Sequence, residues 1–440
     1  MLNSENSLKP YESYVLTQNQ WMPRIPAHWK KSRFKFNANT LKGKLPKKLV
    51  SNKDDNTHIY MTMEYLRGGE ANQWVLDKNA LIVESDEILL LWDGSNSGEF
   101  LKSRKGVVSS TVAHISFFQI SKQFAWYFTK LTERQLRSST VGMGIPHVNG
   151  EELRNSELLI PPLSEQTAIA NFLDQKTANI DQAITTKEKQ ITLLKERKQI
   201  LVQNAVTRGL DPDAPMRDSG VDWIGEIPEH WEVYANRALF KERVEPGEEG
   251  LPLLSVSIHS GVSSEELAEE DNVRGRVKIE DKSKYNLVEP NDIVFNMMRA
   301  WQGAIGCVKV KGMVSPAYII AQPLSRINST YYEYQYRCPE FIQQMDRYSK
   351  GITDFRKRLY WDEFKQLVTV VPPEHEQENI VKYIEHESLK IVKAINLQER
   401  QIEKLKEYKA TLINSAVTGK IRVPGVEDIS AQSKEAVCTP

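Results

Sequence analysis

Apolar residues recur every three or four positions along two long stretches without proline. Steps of four and three from Leu173 land on Leu173, Thr177, Ile180, Ile184, Lys187, Ile191, Leu194, Lys198, Leu201 and Ala205. The same steps from Ile384 land on Ile384, Ser388, Ile391, Ile395, Gln398, Ile402, Leu405, Lys409, Leu412 and Ala416. The apolar seam is shared, and the polar interruptions fall in the same slots. A seam sustained this far predicts a coiled coil, with its polar members fixing register and partner at a cost in stability. Each run is about 42 residues, or roughly 63 Å of helix, longer than an ordinary globular helix. An amphipathic helix lying on its own domain is the plainer reading. Two copies with one seam instead offer each other a partner.

What precedes each run is also shared. "ELLIPP" and "LVTVVPP" are short β-branched and leucine-rich runs that predict strands. Proline lacks an N–H, ends strand pairing and biases the residue before it away from helix. Ser164 or His375 then falls near a helix start, with Glu165 or Glu376 in the first turn. A carboxylate there suits the helix dipole. The double proline is therefore a strand stop joined to a helix start, used twice.

The repetition extends over nearly the whole chain. "WMPRIPAHW" (Trp21 to Trp29) matches "WIGEIPEHW" (Trp223 to Trp231), "VESDEILL" matches "VEPNDIVF", and "GVVSS" matches "GMVSP". The helices end alike, as "LVQNAVT" and "LINSAVT". The pattern predicts an α+β chain of five parts: a globular domain over 1–160, a helix over 161–210, a second globular domain over 211–371, a second helix over 372–420, and a tail over 421–440. The proline, serine and charge of that tail suggest disorder. Because a globular part lies between the helices, antiparallel pairing is expected, with a pseudo-twofold axis relating the two halves.

Composition narrows the chemistry. No apolar run reaches about 18 residues, so no membrane span is expected, and the first residues lack the pattern of a signal peptide. Cys307, Cys338 and Cys438 fit neither a zinc spacing nor a disulfide framework, which suggests a reduced, cytoplasmic protein. The 440 residues carry zero net charge, yet the charge is unevenly spread. Residues 24–53 hold ten lysines and arginines and no acid, while acids dominate 245–271.

A catalytic constellation is missing. There is no phosphate-cradling G-x-x-x-x-G-K-[ST], no G-x-G-x-x-G after a strand, no H-E-x-x-H and no C-x-x-C. There is no G-x-S-x-G either. The double prolines lack the polar and aromatic neighbours of an adenine methyltransferase site. His28 and His230 could act as bases, but a structural place beside Trp29 and Trp231 is the simpler reading. Asp86, Glu87 and Asp292 read as turn residues rather than a metal site. No catalytic residue and no metal ligand is expected.

Binding remains. Lys42, Lys44, Lys47 and Lys48 cluster in a loop with Gly43 and Pro46, which suits contact with phosphate. Arg104 and Lys105 add charge nearby in sequence. "GITDFRKRLYW" brings Arg356, Lys357 and Arg358 next to aromatics, and it aligns with "GMGIPHVNG", which holds His147 and Asn149. One frame with different side chains suits two modules reading different targets, since arginine, asparagine and histidine all contact base edges.

"DSGVDWIGEIPEHW", "NDIVFNMMRAWQGAIG" with "GMVSPAYI", and both P-P-x-x-E-Q starts with their A-V-T ends closely resemble the specificity subunits of type I restriction-modification systems. The resemblance covers nearly the whole chain, with the first half more divergent. It implies a non-catalytic subunit with two target recognition domains, each reading one half of a split site in double-stranded DNA. The paired helices would act as spacer and as dock for two methyltransferase subunits that use S-adenosylmethionine. Restriction subunits would add ATP and Mg2+-dependent translocation and cleavage, leaving no cofactor in this chain. The alternative is a coiled-coil scaffold that gathers proteins and reads no DNA.

Overall fold

The computed structural model describes residues 9–17, 22–54, 56–77, 79–142, 144–221, 224–263, 284–351 and 356–426. Two compact units emerge: Met1–Thr186 with Gln401–Pro440, and Lys187–Arg400. The acid-rich residues 264–271 and the tail from 427 lie outside the described residues.

Each unit is built on a four-stranded antiparallel sheet. In the first, the order is Phe100–Lys102, Ile88–Leu91, Val112–Phe117, Ala38–Lys42. In the second it is Ile305–Cys307, Ile293–Asn296, Tyr318–Pro323, Phe240–Glu242. The repeat read from the sequence is thus a repeat of topology. Ile88–Leu91 and Ile293–Asn296 are buried at every position, as their near-continuous apolar runs require. Asp86 and Asn291 turn the chain into these strands with φ of 63° and 75°, a left-handed conformation that Asp and Asn tolerate better than most side chains. Asp292 is indeed at a turn, but it is also buried, and its carboxylate accepts from the Arg243 Nε at 2.8 Å.

The strands expected before the prolines are Glu157–Ile160 and Val368–Val371, and each pairs with the strand just after an I-P-x-H-W element. Two long helices follow, α1 over Leu163–Arg208 and α2 over Glu374–Val417. All twenty seam slots are buried or half-buried. In the first unit Asp181 of α1 accepts from Lys409 Nζ of α2 at 2.6 Å. In the second, Lys187 Nζ of α1 donates to Gln398 of α2 at 3.0 Å. As the position on α1 rises, its partner on α2 falls, so the helices form an antiparallel coiled coil. Lys187 and Gln398 occupy the same slot of the two copies. These two polar interruptions are therefore each other's partners.

The recurring motifs close each unit. Glu165 is almost fully buried and accepts from Trp29 Nε1 at 3.0 Å, His28 Nε2 lies 2.8 Å away, and the Tyr11 hydroxyl donates to it. Burial, first, and then the carboxylate push the Tyr11 hydroxyl well above its ordinary pKa. Glu376 does the same in the second unit, with Trp231 Nε1 at 2.9 Å and His230 Nε2 at 2.7 Å. The neighbouring Gln166 accepts from the Ser121 amide at 2.7 Å, and Gln377 from the Asn328 amide at 3.0 Å. Ser121 and Asn328 are the N-caps of helices Lys122–Ser138 and Ser329–Tyr336. The P-P-x-x-E-Q segment thus ties a unit's first element, its inner helix and its long helix to one point.

The end of α2 completes the first unit. Gly419 (φ +70°) runs so close over Pro26 that a Cβ would sit 2.4 Å from its Cδ, so only glycine fits. The Arg422 amide donates to Lys9 O at 2.8 Å, and Val423 is buried. The first residues of the tail, which the composition suggests is disordered, are thus held here through Arg422 and Val423.

Candidate nucleic-acid interface

In the first unit four separate segments meet beyond the C-terminal end of strand Ile88–Leu91. Gly43 leads the chain out of strand Ala38–Lys42, where its amide donates to Val112 O at 2.9 Å. A Cβ there would lie 2.2 Å from Ser109 O and 2.3 Å from Val108 O. The lysine loop can cross this strand end only as glycine. Lys44, Lys47 and Lys48 then stand exposed, with Leu45 at 75% exposure between them.

Beside this loop lies the turn that starts at Trp92. Its Trp92 amide donates to Thr111 O at 2.8 Å, and its Gly94 amide to Pro146 O at 2.9 Å. Lys42 Nζ lies 2.8 Å from the Asp93 carboxylate and 5.8 Å from the centre of the Trp92 ring. The last segment is a hairpin closed by Val141 and His147, which exchange two backbone bonds of 2.9 Å each. The Val148 amide then donates to Trp92 O at 2.9 Å, fixing this hairpin against the turn. His147 is exposed at its foot.

The second unit repeats this frame. The Met297 amide donates to Ala317 O at 3.2 Å, and the Leu359 amide to Met297 O at 2.9 Å. Lys350 and Arg358 exchange two backbone bonds of 2.8 Å each. Arg358 therefore stands where His147 stands in the first unit. Lys357 Nζ lies 5.0 Å from the Trp301 ring centre and 2.7 Å from an Asp346 carboxylate oxygen, and Arg358 Nη1 donates to Lys357 O at 2.8 Å. Arg356 is exposed.

The structure brings Lys42, Lys44 and His147 to one end of the first sheet, while Lys47 and Lys48 stand exposed further along the loop, just before strand Leu49–Val50. It does not gather Arg104 and Lys105. Ser103 bonds to Glu84 and Glu87, before strand Ile88–Leu91 begins, so these two cations lie at its opposite end. Arg104 Nη1 donates to Tyr65 O at 2.9 Å and Gly69 O at 2.7 Å, with the guanidinium 3.9 Å from the Tyr65 ring centre. Lys105 pairs with Glu84 at 3.0 Å. Asn149 caps the short helix Gly150–Asn155, its Oδ1 accepting from the Glu151 and Glu152 amides. Sequence reasoning missed Trp92, Asp93, Arg299 and Trp301. Their segments, "LLLWDGSNSGEF" and "NDIVFNMMRAWQG", are only loosely similar, so the shared turn showed only as a faint alignment.

Known proteins point the same way. Residues 26–193 match the type I restriction modification DNA specificity domain. The type I restriction enzyme MjaVIII specificity subunit of Methanocaldococcus jannaschii is 36% identical over 48% of this chain and 48% of its own length. The EcoBI specificity subunit of Escherichia coli is 25% identical over 69% of this chain and 67% of its own. The chain thus spans about half the length of the first relative and about two thirds of the second. A solved chain from work on complex assembly and conformational transition of the type I R-M system shares the fold, with a TM-score of 0.64 at 11% identity, over 89% of this chain and 98% of that one. No described helix is long and apolar enough to cross a membrane. With its repeated topology, shared motifs and a specificity domain matched over residues 26–193, the chain is similar to type I restriction enzyme specificity subunits.

Proposed function

We propose that this chain is the DNA sequence-specificity subunit of a type I restriction-modification complex. Each unit reads one half of a bipartite site, and the helices set the unread gap and dock two methyltransferase subunits. One observation carries this reading. The same backbone frame occurs twice, with His147 in one copy and Arg358 in the other. A frame held constant while its side chains change is what two readers of different bases need, because base edges specify while phosphate contacts only position.

The subunit itself does no chemistry in this reading. Lysine, arginine, histidine and tryptophan on rigid loops are contact groups. Extruding and methylating an adenine needs an enclosed pocket, which the methyltransferase subunits supply with S-adenosylmethionine. ATP with Mg2+ belongs to restriction subunits, and the complex works in the cytoplasm. Reversing the charge of Lys42, Lys44, Lys47 and Lys48 together tests DNA contact. Affinity for duplex DNA is expected to drop at least tenfold at low salt, with a shallower salt slope. Unchanged affinity would leave a protein scaffold instead.

A further inference from the structure

The two units carry different charge after matching strands. Ala38 pairs with Phe117 and Phe240 with Pro323, the last residues of matching strands. Counting on from these pairs, the places of Lys42, Lys47 and Lys48 hold Val244, Glu249 and Gly250 in the second unit. Glu245 and Glu248 flank them, and Glu248 shares Lys311 with Glu289, at 3.1 and 3.2 Å, before strand Ile293–Asn296 begins. The loop that is basic in the first unit is acidic in the second. The turn at the other end of the strand differs in charge as well. In the first unit it carries Asp93, in ion pair with Lys42. In the second it carries Arg299, exposed, with no side-chain hydrogen bond or ion pair among the described residues.

Resting on the DNA-reading function above, we propose that the two units hold DNA through different elements. The first uses its lysine loop, and the second uses the 297–303 turn, where Arg299 contacts a backbone phosphate. The segment after strand Phe240–Glu242 offers no lysine and is held against strand Asn286–Val288 instead, so a cation of the turn supplies the contact. Arg299 is built for it. Its amide donates to Asn296 O at 2.9 Å, and its carbonyl accepts from the Gln302 and Ala304 amides at 2.9 and 3.1 Å. Trp301 Nε1 donates to Met298 O at 3.0 Å, closing the turn on itself. The backbone beneath the guanidinium is fixed, while its side chain has no polar partner among the described residues. Lys357 over the Trp301 ring puts a second cation alongside. Leu359, next to Arg358, is bonded to the base of the same turn.

The test uses the full chain and a labelled 30-base-pair duplex of random sequence, titrated at several salt concentrations. Arg299→Ala is expected to weaken binding several-fold at low salt and to lower the slope of log affinity against log salt by about 0.9, the value of one phosphate contact. Arg299→Lys should restore most of both, since phosphate accepts a point charge. Lys48→Ala serves as the reference for the first unit. If Lys48→Ala moves the slope and Arg299→Ala does not, this inference falls and the DNA-reading function stands. If Arg299→Ala weakens binding but lysine fails to rescue, the residue is not a phosphate contact. If the unaltered chain shows no salt-dependent binding, the DNA-reading function falls with it.

Discussion

Glu165 shows how much one side chain can decide. The sequence places it in a helix first turn, where the dipole favours a carboxylate. The structure adds Trp29, His28 and Tyr11 around it, from the opposite end of the domain. That convergence was unreadable because it depends on a strand pairing, Lys30–Arg33 with Glu157–Ile160, that joins the two ends. Glu165→Ala would leave the Trp29 N–H and Tyr11 O–H buried and unpaired, at a cost of roughly 2–4 kcal/mol. Thermal unfolding should show it as a clear loss. Glu376→Ala should lose less, because its carboxylate is 27% exposed against 3% for Glu165 and water can replace it. Equal losses would mean that burial is not what sets the cost. At the same scale, Asn149 looked like a base-contacting residue and is used as a helix cap. Cap and contact draw on the same side-chain chemistry, so composition alone does not separate them.

At the scale of elements, the helices were the most legible part. Their seam is a local period, and every slot it named is buried or half-buried. Pairing direction needed contacts between distant residues: Asp181 with Lys409 and Lys187 with Gln398. Asp181→Cys with Lys409→Cys, treated with a short bis-maleimide, should cross-link in high yield within one chain. Asp181→Cys with Lys382→Cys should not, because Lys382 lies near the start of α2. The reverse result would mean parallel helices. The candidate interface loops were the least legible. They come from four segments joined by antiparallel register, and a run of lysines does not show which end of a sheet it occupies. Lys42 and Arg104 are both cations near glycines, yet they lie at opposite ends of strand Ile88–Leu91.

At the scale of the whole molecule, the central claim is that one chain holds two independent readers. The repeat appears as two sheets of the same order and two loop clusters of the same frame. It was legible in the sequence because each copy keeps its entrance, its double proline and its helix end. Which bases the proposed readers would take is not legible, since that would depend on side chains at the positions where the copies differ. The most direct measurement maps methylated adenines in DNA from cells carrying this chain with its methyltransferase subunits. It is then repeated after residues 1–160 are exchanged for the equivalent domain of another specificity subunit. One half of a bipartite site should change, while the other half and the gap between them stay as they were. A site that is not bipartite, or an exchange that alters both halves, would contradict the claim.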